Sequence, residues 1–215
     1  MIQLLTLDGA LVGARQRVQA AREQMARLRA RYYLDYAFVH INKTGGSSVE
    51  QALGLPFQHK TALELRDELG ASRWERRFTF TIVRNPWDRA VSHFYYRVMT
   101  NQTGLGENPI DFSEWIERVY VDRDPRYYDQ PRMFMPQLDW LADEKGRLLV
   151  KLVGRYESLE RDFTQICKNI GRARSSLPRL KASTRPHYRE AYSDRTAEVV
   201  AQWFAKDIAA FDYAF

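Results

Sequence analysis

Three short apolar runs, each leading into a segment of helical character, constrain this chain more than any other feature. Tyr36-Ala-Phe-Val-His-Ile41 runs into a glycine turn, and Ser47-Ser-Val-Glu-Gln-Ala-Leu53 then reads as a helix closed by Gly54. Phe78-Thr-Phe-Thr-Ile-Val83 reads as a second buried strand. It meets Asn85-Pro86, a helix start with Asn as N-cap, Pro at the first helical position and Asp88 at the third. Leu148-Leu-Val-Lys-Leu-Val153 reads as a third strand, with a helix from about residue 159 to 170 behind it. Strands alternating with helices imply an α/β fold, a largely parallel sheet covered by helices on both faces. Residues 112–121 and 131–141 read as helical, the latter disturbed by Pro136. A last helix starts near Ser193 or Asp194 with Val200, Trp203, Phe204, Ile208 and Phe211 on its apolar face. Residues 171–192, rich in Arg, Ser and Pro, read as a long loop.

A chain of 215 residues is one domain, or one domain with an appendage, and its 45% hydrophobic content excludes a disordered polymer. No apolar run approaches the 18 or so residues that a membrane span needs, and the N-terminus lacks the basic start of a secretory signal. Cys167 is the single cysteine, which excludes an internal disulfide and fits a reducing, cytoplasmic setting. Thirty-three basic against 27 acidic residues leave a charge of +6, which favours acidic ligands without choosing among them. Residues 1–35 stand apart as a helical appendage. Leu11, Ala14, Val18, Ala21, Met25, Leu28 and Tyr32 follow a 3-4 spacing on one helix face. Arg15, Arg17, Arg22, Arg29 and Arg31 flank that face, so a homodimeric coiled coil would set arginine against arginine. The expectation is an amphipathic basic helix that docks on its own domain with a solvated basic face; a homodimer or a polyanion-binding helix is the alternative.

The segment His40-Ile-Asn-Lys43-Thr44-Gly45-Gly46-Ser47-Ser48 joins a strand, a glycine turn and a helix start. Those are the parts of a phosphate cradle: backbone N–H groups converge on an anion at the positive end of the helix dipole. The glycines let the backbone approach, the hydroxyls donate, and Lys43 supplies a point charge. It is not a Walker A loop, because the lysine precedes both glycines. The second segment, Thr81-Ile-Val-Arg84-Asn-Pro-Trp-Asp-Arg-Ala-Val-Ser92, puts an arginine at a strand end and a hydroxyl in the following helix. In an open α/β sheet that edge is where ligands bind. Two separated anion sites on one edge suggest a ligand with two phosphate-like groups; the alternative for Arg84 is a pairing with a carboxylate.

Together, H-I-N-K-T-G-G-S-S and V-R-N-P-W-D-R-A-V-S-H-F-Y-Y resemble the two motifs by which sulfotransferases bind 3′-phosphoadenosine 5′-phosphosulfate (PAPS), especially the Golgi carbohydrate sulfotransferases and their bacterial relatives. The resemblance extends through Gly154-Arg-Tyr-Glu-Ser-Leu-Glu-Arg-Asp-Phe163 and Asp207-Ile-Ala-Ala-Phe-Asp-Tyr213, and so covers residues 36–215. It implies a sulfotransferase domain over 36–215 with a P-loop-kinase-like α/β fold. It also implies transfer of a sulfuryl group from PAPS to an acceptor hydroxyl, with a carbohydrate as the expected acceptor. Carried over by position, Lys43, Thr44, Gly45, Gly46, Ser47 and Ser48 would hold the 5′-phosphosulfate, and Arg84 and Ser92 the 3′-phosphate. Asn42 stands where many members have proline, which would loosen the approach to the loop. Thr184 and Arg185, in Lys181-Ala-Ser-Thr-Arg-Pro186, lie where relatives fold a basic segment over the nucleotide.

In-line sulfuryl transfer builds negative charge on the leaving phosphate oxygen, which Lys43 and the helix N-terminus can take. No metal is expected, since the histidines at 40, 59, 93 and 187 show no ligand spacing. His59, between the two motifs, sits where relatives carry a catalytic histidine and is the expected base, with Glu64 or Glu68 as rival. Arg132 and Gln137 are the expected acceptor contacts. A sugar, a peptide tyrosine and a small phenol all stay open as acceptors. A nucleotide-dependent kinase and a nucleic-acid or polyanion-binding module are the competing functions. The kinase is disfavoured by the lysine order and by the lack of a Walker-B-type carboxylate. No nucleic-acid partner is expected.

Overall fold

The computed structural model describes residues 2–173, 176–178 and 187–215. A long helix α1 (Ile2–Tyr32) precedes β1 (Tyr36–Val39), α2 (Gly46–Leu53), α3 (Ala62–Leu69), α4 (Ala71–Arg76) and β2 (Phe78–Val83). Then follow α5 (Pro86–Met99), α6 (Phe112–Ile116), α7 (Gln137–Leu141), β3 (Leu152–Arg155), α8 (Leu159–Asn169), α9 (Asp194–Trp203) and α10 (Ala205–Phe211). The three strands form one parallel sheet in the order β1-β2-β3, with Tyr36 opposite Phe78 and Phe80 opposite Leu152. Helices cover both faces, as the alternation of runs predicts.

The side chains of β1 and β2 alternate between two apolar layers. Tyr36, Phe38, Phe80 and Ile82 pack with Val49 and Leu53 of α2 and Phe163 and Ile166 of α8. Ala37, Val39 and Val83 pack with Ala62 and Leu65 of α3, Trp140 and Leu141 of α7, and Trp74. A third cluster joins Trp87, Val91 and Phe94 of α5 to Trp115 and Phe204. The buried threonines of β2 are used: Thr81 Oγ1 donates to the Val39 carbonyl at 2.8 Å, and Thr79 Oγ1 accepts from Lys151 N at 3.1 Å.

Three expectations need correction. The third strand begins at Leu152 rather than Leu148, because Leu148 closes a small antiparallel bridge with Ala142 and Leu149 N bonds back to the Leu141 carbonyl. The last helix is two, broken at Phe204, whose buried ring lies under the Arg89 guanidinium. The apolar stripe of α1 does not dock: Val18, Met25, Leu28 and Tyr32 are exposed. The domain instead meets the end of α1. Arg77 donates to the carbonyls of Ala30 and Arg31 at 2.7 Å each, and Arg73 reaches the Arg31 carbonyl. The orphan carbonyls at the C-terminus of α1 accept these guanidinium bonds, while its apolar stripe stays exposed. Among the described residues no helix is long and apolar enough to cross a membrane.

Candidate active site

The turn after β1 is built around one strained residue and two glycines that cannot be replaced freely. Lys43 has φ 66°, a conformation few side-chain-bearing residues adopt. Gly45 has φ 83°, and a Cβ there would also press on Tyr156 and Leu159 at 3.1–3.3 Å. A Cβ on Gly46 would lie 2.0 Å from His40 Cδ2. Gly45 N-caps α2 without a side chain to cap it, and the first turn of α2 carries no acidic residue. The opening N–H groups of α2 thus have neither a capping side chain nor an acidic neighbour in the first turn, the arrangement that favours an anion at a helix N-terminus.

Thr44 departs from expectation. It is fully buried and its hydroxyl donates to the Ile41 carbonyl at 2.8 Å, so its side chain closes the turn instead of facing a ligand. Asn42 also departs: it does not loosen the approach. Its side chain donates to the Met133 carbonyl at 3.0 Å and accepts from Arg89 at 2.6 Å, while Arg89 also bonds the Asn42 carbonyl at 3.1 Å. The buried Arg89 therefore pins the loop where a proline would have stiffened it.

Asn85 caps α5 through bonds from the N–H groups of Trp87 and Asp88. Its own N–H donates to Glu157 at 2.6 Å, and Glu157 also accepts from Tyr213 Oη. Arg84 is held firmly. Its guanidinium pairs with Asp88 at 2.8 Å, donates to the Lys43 carbonyl at 2.9 Å, and stacks over Tyr156 at 3.8 Å. It thus ties the turn after β1 to the first turn of α5. The Lys43 ammonium lies 3.8 Å over the Tyr96 ring.

His59 lies beside β1. Its Nδ1 is 3.1 Å from the His40 carbonyl, which can only accept, so Nδ1 carries the hydrogen and Nε2 is the nitrogen left to take a proton. Behind it, His40 Nδ1 is 2.9 Å from Glu50 Oε1, and Glu50 Oε1 accepts from Gln58 N at 3.2 Å. Glu50 and His40 thus fasten the segment that carries His59. Glu64 is a poor rival base. Burial acts to raise its carboxyl, but the Thr61 N–H and Arg132 outweigh it and leave it below the ordinary carboxylate range. Glu68 is tied to Lys60.

One cavity of about 940 Å³ collects Lys43, Gly45, Gly46, Ser47, Ser48, His59, Arg84 and Ser92. His93, also in its lining, is held well below the ordinary histidine range by burial and then by Arg97, Arg89 and Lys43. Two expected acceptor contacts are displaced. Gln137 is fully buried: its amide bonds the Arg84 N–H and carbonyl at 2.8 Å, and Asp207 takes its N–H. It spaces α7 from β2 and cannot meet an acceptor. Arg132 grips Glu64 at 2.7 Å and the His59 carbonyl at 3.1 Å, so it braces the His59 segment. Thr184 and Arg185 lie outside the described residues. The residues that sequence reasoning missed are His40, Glu50, Tyr96 and Tyr156, of which only Glu50 carried a legible signal, as a charge in an otherwise buried segment; Asp88, read from sequence as an acid of the α5 start, is the carboxylate with which the alternative reading of Arg84 had it pair.

The sequence profile described as "Sulfotransferase family" matches residues 37–214. The chain belongs to that family. It is accordingly a transferase, an enzyme that moves sulfuryl groups onto a hydroxyl-bearing acceptor. An uncharacterized protein of Archaeoglobus fulgidus is 25% identical over 127 residues, 59% of this chain and 94% of its own length. The crystal structure of a sulfotransferase from Alicyclobacillus acidocaldarius aligns at 18% identity with a TM-score of 0.48, covering 85% of this sulfotransferase and 97% of the other.

Proposed function

We propose that this sulfotransferase takes its sulfuryl group from PAPS and delivers it to a carbohydrate hydroxyl, with residues 36–215 as the catalytic domain and residues 1–35 as an appendage. The observation that carries the reading is the single cavity shared by the uncapped α2 N-terminus, Lys43, the Arg84–Ser92 pair and His59. Two separated cationic or hydroxylic subsites suit a donor with a phosphosulfate at one end and a 3′-phosphate at the other. The cradle from Lys43 to Ser48 would hold the former, Thr44 through its backbone alone, and Arg84 and Ser92 the latter. When bound, PAPS supplies a sulfuryl group on a phosphate leaving group.

The chain's own residues do the rest. The N–H groups at the start of α2 and the Lys43 ammonium favour negative charge at one place in the cavity. Arg84 holds the Lys43 carbonyl, so the cradle and the second subsite keep a fixed spacing. His59 Nε2 accepts the proton of the acceptor hydroxyl. The test is incubation with sulfur-35-labelled PAPS and a panel of desulfated polysaccharides, tyrosine peptides and phenols. Label on polysaccharide alone supports the reading; label on peptide or phenol alone moves the acceptor class, and no label anywhere removes the PAPS donor.

A further inference from the structure

We propose that Glu50 is a positioning residue for His59: one buried carboxylate that holds the ring in place and matches the positive charge the ring gains when it takes the acceptor's proton. The proposal deepens the reading of His59 as the base and rests on it. Glu50 is 4% exposed, and a carboxylate that deep is kept only where polar partners compensate its lost hydration. Its Oε1 accepts from Gln58 N at 3.2 Å and lies 2.9 Å from His40 Nδ1. Gln58 precedes His59 in the chain, and the His40 carbonyl accepts from His59 Nδ1 at 3.1 Å. One oxygen thus holds both the peptide that leads into His59 and the residue that orients its ring.

Aromatic side chains enclose the two imidazoles. The His40 and His59 ring centroids are 4.4 Å apart. Phe57 meets both at near right angles, 5.6 and 5.0 Å away, and Phe38 stacks on His40 at 5.7 Å. From α7, Trp140 meets His59 at 6.2 Å. Apolar rings solvate a charge poorly, so the neighbouring charges decide how readily His59 holds a proton.

Those neighbours differ from side to side. Lys60 and Arg132 flank the His59 segment, and each is tied to a carboxylate of α3, Glu68 and Glu64 respectively. Lys43 adds positive charge across the cavity, and His40 is itself titratable. From α2 the facing group is the Glu50 carboxylate. When the acceptor hydroxyl gives its proton to His59 Nε2, the oxygen's electron pair bonds to the sulfuryl sulfur. The pair of the broken sulfur–oxygen bond leaves with the phosphate, and the ring becomes an imidazolium. Glu50 supplies the negative charge that favours that imidazolium.

The test follows the imidazole carbon and nitrogen NMR signals of the full chain through a pH titration, which needs neither donor nor acceptor. Neutral wild-type His59 should be the Nδ1–H tautomer. Glu50→Gln keeps an oxygen for the Gln58 N–H but loses the charge. In it the His59 ring should protonate about one pH unit lower, the lower end of what a nearby opposite charge exerts. With labelled PAPS and a desulfated polysaccharide, Glu50→Gln should lower kcat by about tenfold or more and leave adenosine 3′,5′-bisphosphate affinity within about twofold. In a His59→Ala background the same change should cost less than about twofold, because Glu50 acts through His59. Should Glu50→Gln not fold, Glu50→Asp takes its place: it draws the carboxylate back by one methylene and should lower kcat by about tenfold, and an unchanged kcat there overturns the proposal. So would an unmoved His59 titration, an Nε2–H tautomer, a proton already resident on His40 at neutral pH, or an equal loss with and without His59. A His59→Ala enzyme that loses activity beside a Glu50→Gln enzyme that behaves as wild type would leave the base reading standing and this proposal fallen; a His59→Ala enzyme at the wild-type rate would remove both.

Discussion

Replacing Gly46 with alanine tests the packing of the loop against His40. By propensity alone the change should help, since alanine exceeds glycine in a helix by up to about 1 kcal/mol. The structure predicts the reverse. The new Cβ would stand 2.0 Å from His40 Cδ2 and 2.3 Å from its Nε2. His40 is 3% exposed, stacked on Phe38 at 5.7 Å and fastened to Glu50, so it has nowhere to retreat. Overpacking of a closed site costs about 1–3 kcal/mol, and this contact belongs at the upper end. At roughly 2–4 °C per kcal/mol for a chain of this size, Tm should fall by about 6–12 °C. Calorimetric melting of Gly46→Ala, His40→Ala and the double variant isolates the clash. The double variant should be more stable than the sum of the singles by about 2 kcal/mol, because the alanine methyl then occupies the space the ring leaves. Additivity within about 0.5 kcal/mol would show that the two residues do not meet.

Four further outcomes follow from the site. Lys43→Ala should lower kcat by about 3 kcal/mol, more than a hundredfold, with a smaller change in donor affinity; an unchanged kcat removes the cradle. Arg84→Ala should weaken adenosine 3′,5′-bisphosphate by about 1.5–3 kcal/mol more than adenosine 5′-phosphosulfate, whereas an equal loss for both nucleotides means that Arg84 acts only by holding Lys43. His59→Ala should cut kcat by about 10²–10⁴ and remove the acid limb of the pH–rate profile; more than about a tenth of the wild-type rate passes the role to another group. Buried His93 has a folded-state pKa far below its unfolded value near 6.5. The unfolded chain therefore binds the proton more readily, and stability that is complete above pH 6.5 is lost as pH falls, by up to about 1.4 kcal/mol per unit. Denaturant midpoints at pH 7.5 and 5.5 should show this slope in the wild type, and His93→Phe should flatten it; an unchanged slope assigns it elsewhere.

The parallel sheet was legible because short, β-rich, mostly apolar runs alternate with helical segments, and α5 because Asn85, Pro86 and Asp88 each have one favoured place at a helix start. Gly45 and Gly46 announced a close backbone approach, and the structure assigns each a different reason, a left-handed φ for one and the His40 ring for the other. What failed were particular inferences about which way a side chain turns, although Lys43, Ser47, Ser48, His59, Arg84 and Ser92 do line one cavity. Thr44 and Gln137 have ligand-like chemistry but spend it on the backbone. The stripe of α1 has docking-like periodicity, yet its described members Val18, Met25, Leu28 and Tyr32 are exposed and the domain grips the carbonyls at the helix end. Periodicity defines a face without naming its partner, and Arg89 on Asn42 shows how a residue 47 positions away replaces a local proline. Such long-range pairings leave no trace in spacing.

The central claim is that the cavity holds a nucleotide bearing a 3′-phosphate and a 5′-phosphate group. Isothermal titration of the wild-type chain with adenosine 3′,5′-bisphosphate and with adenosine 5′-monophosphate tests it without knowledge of the acceptor. The account predicts that the bisphosphate binds at least about tenfold more tightly, the worth of one charged hydrogen-bonded contact, and that Arg84→Ala erases the difference. Equal affinities for the two nucleotides, or binding of neither, would contradict it.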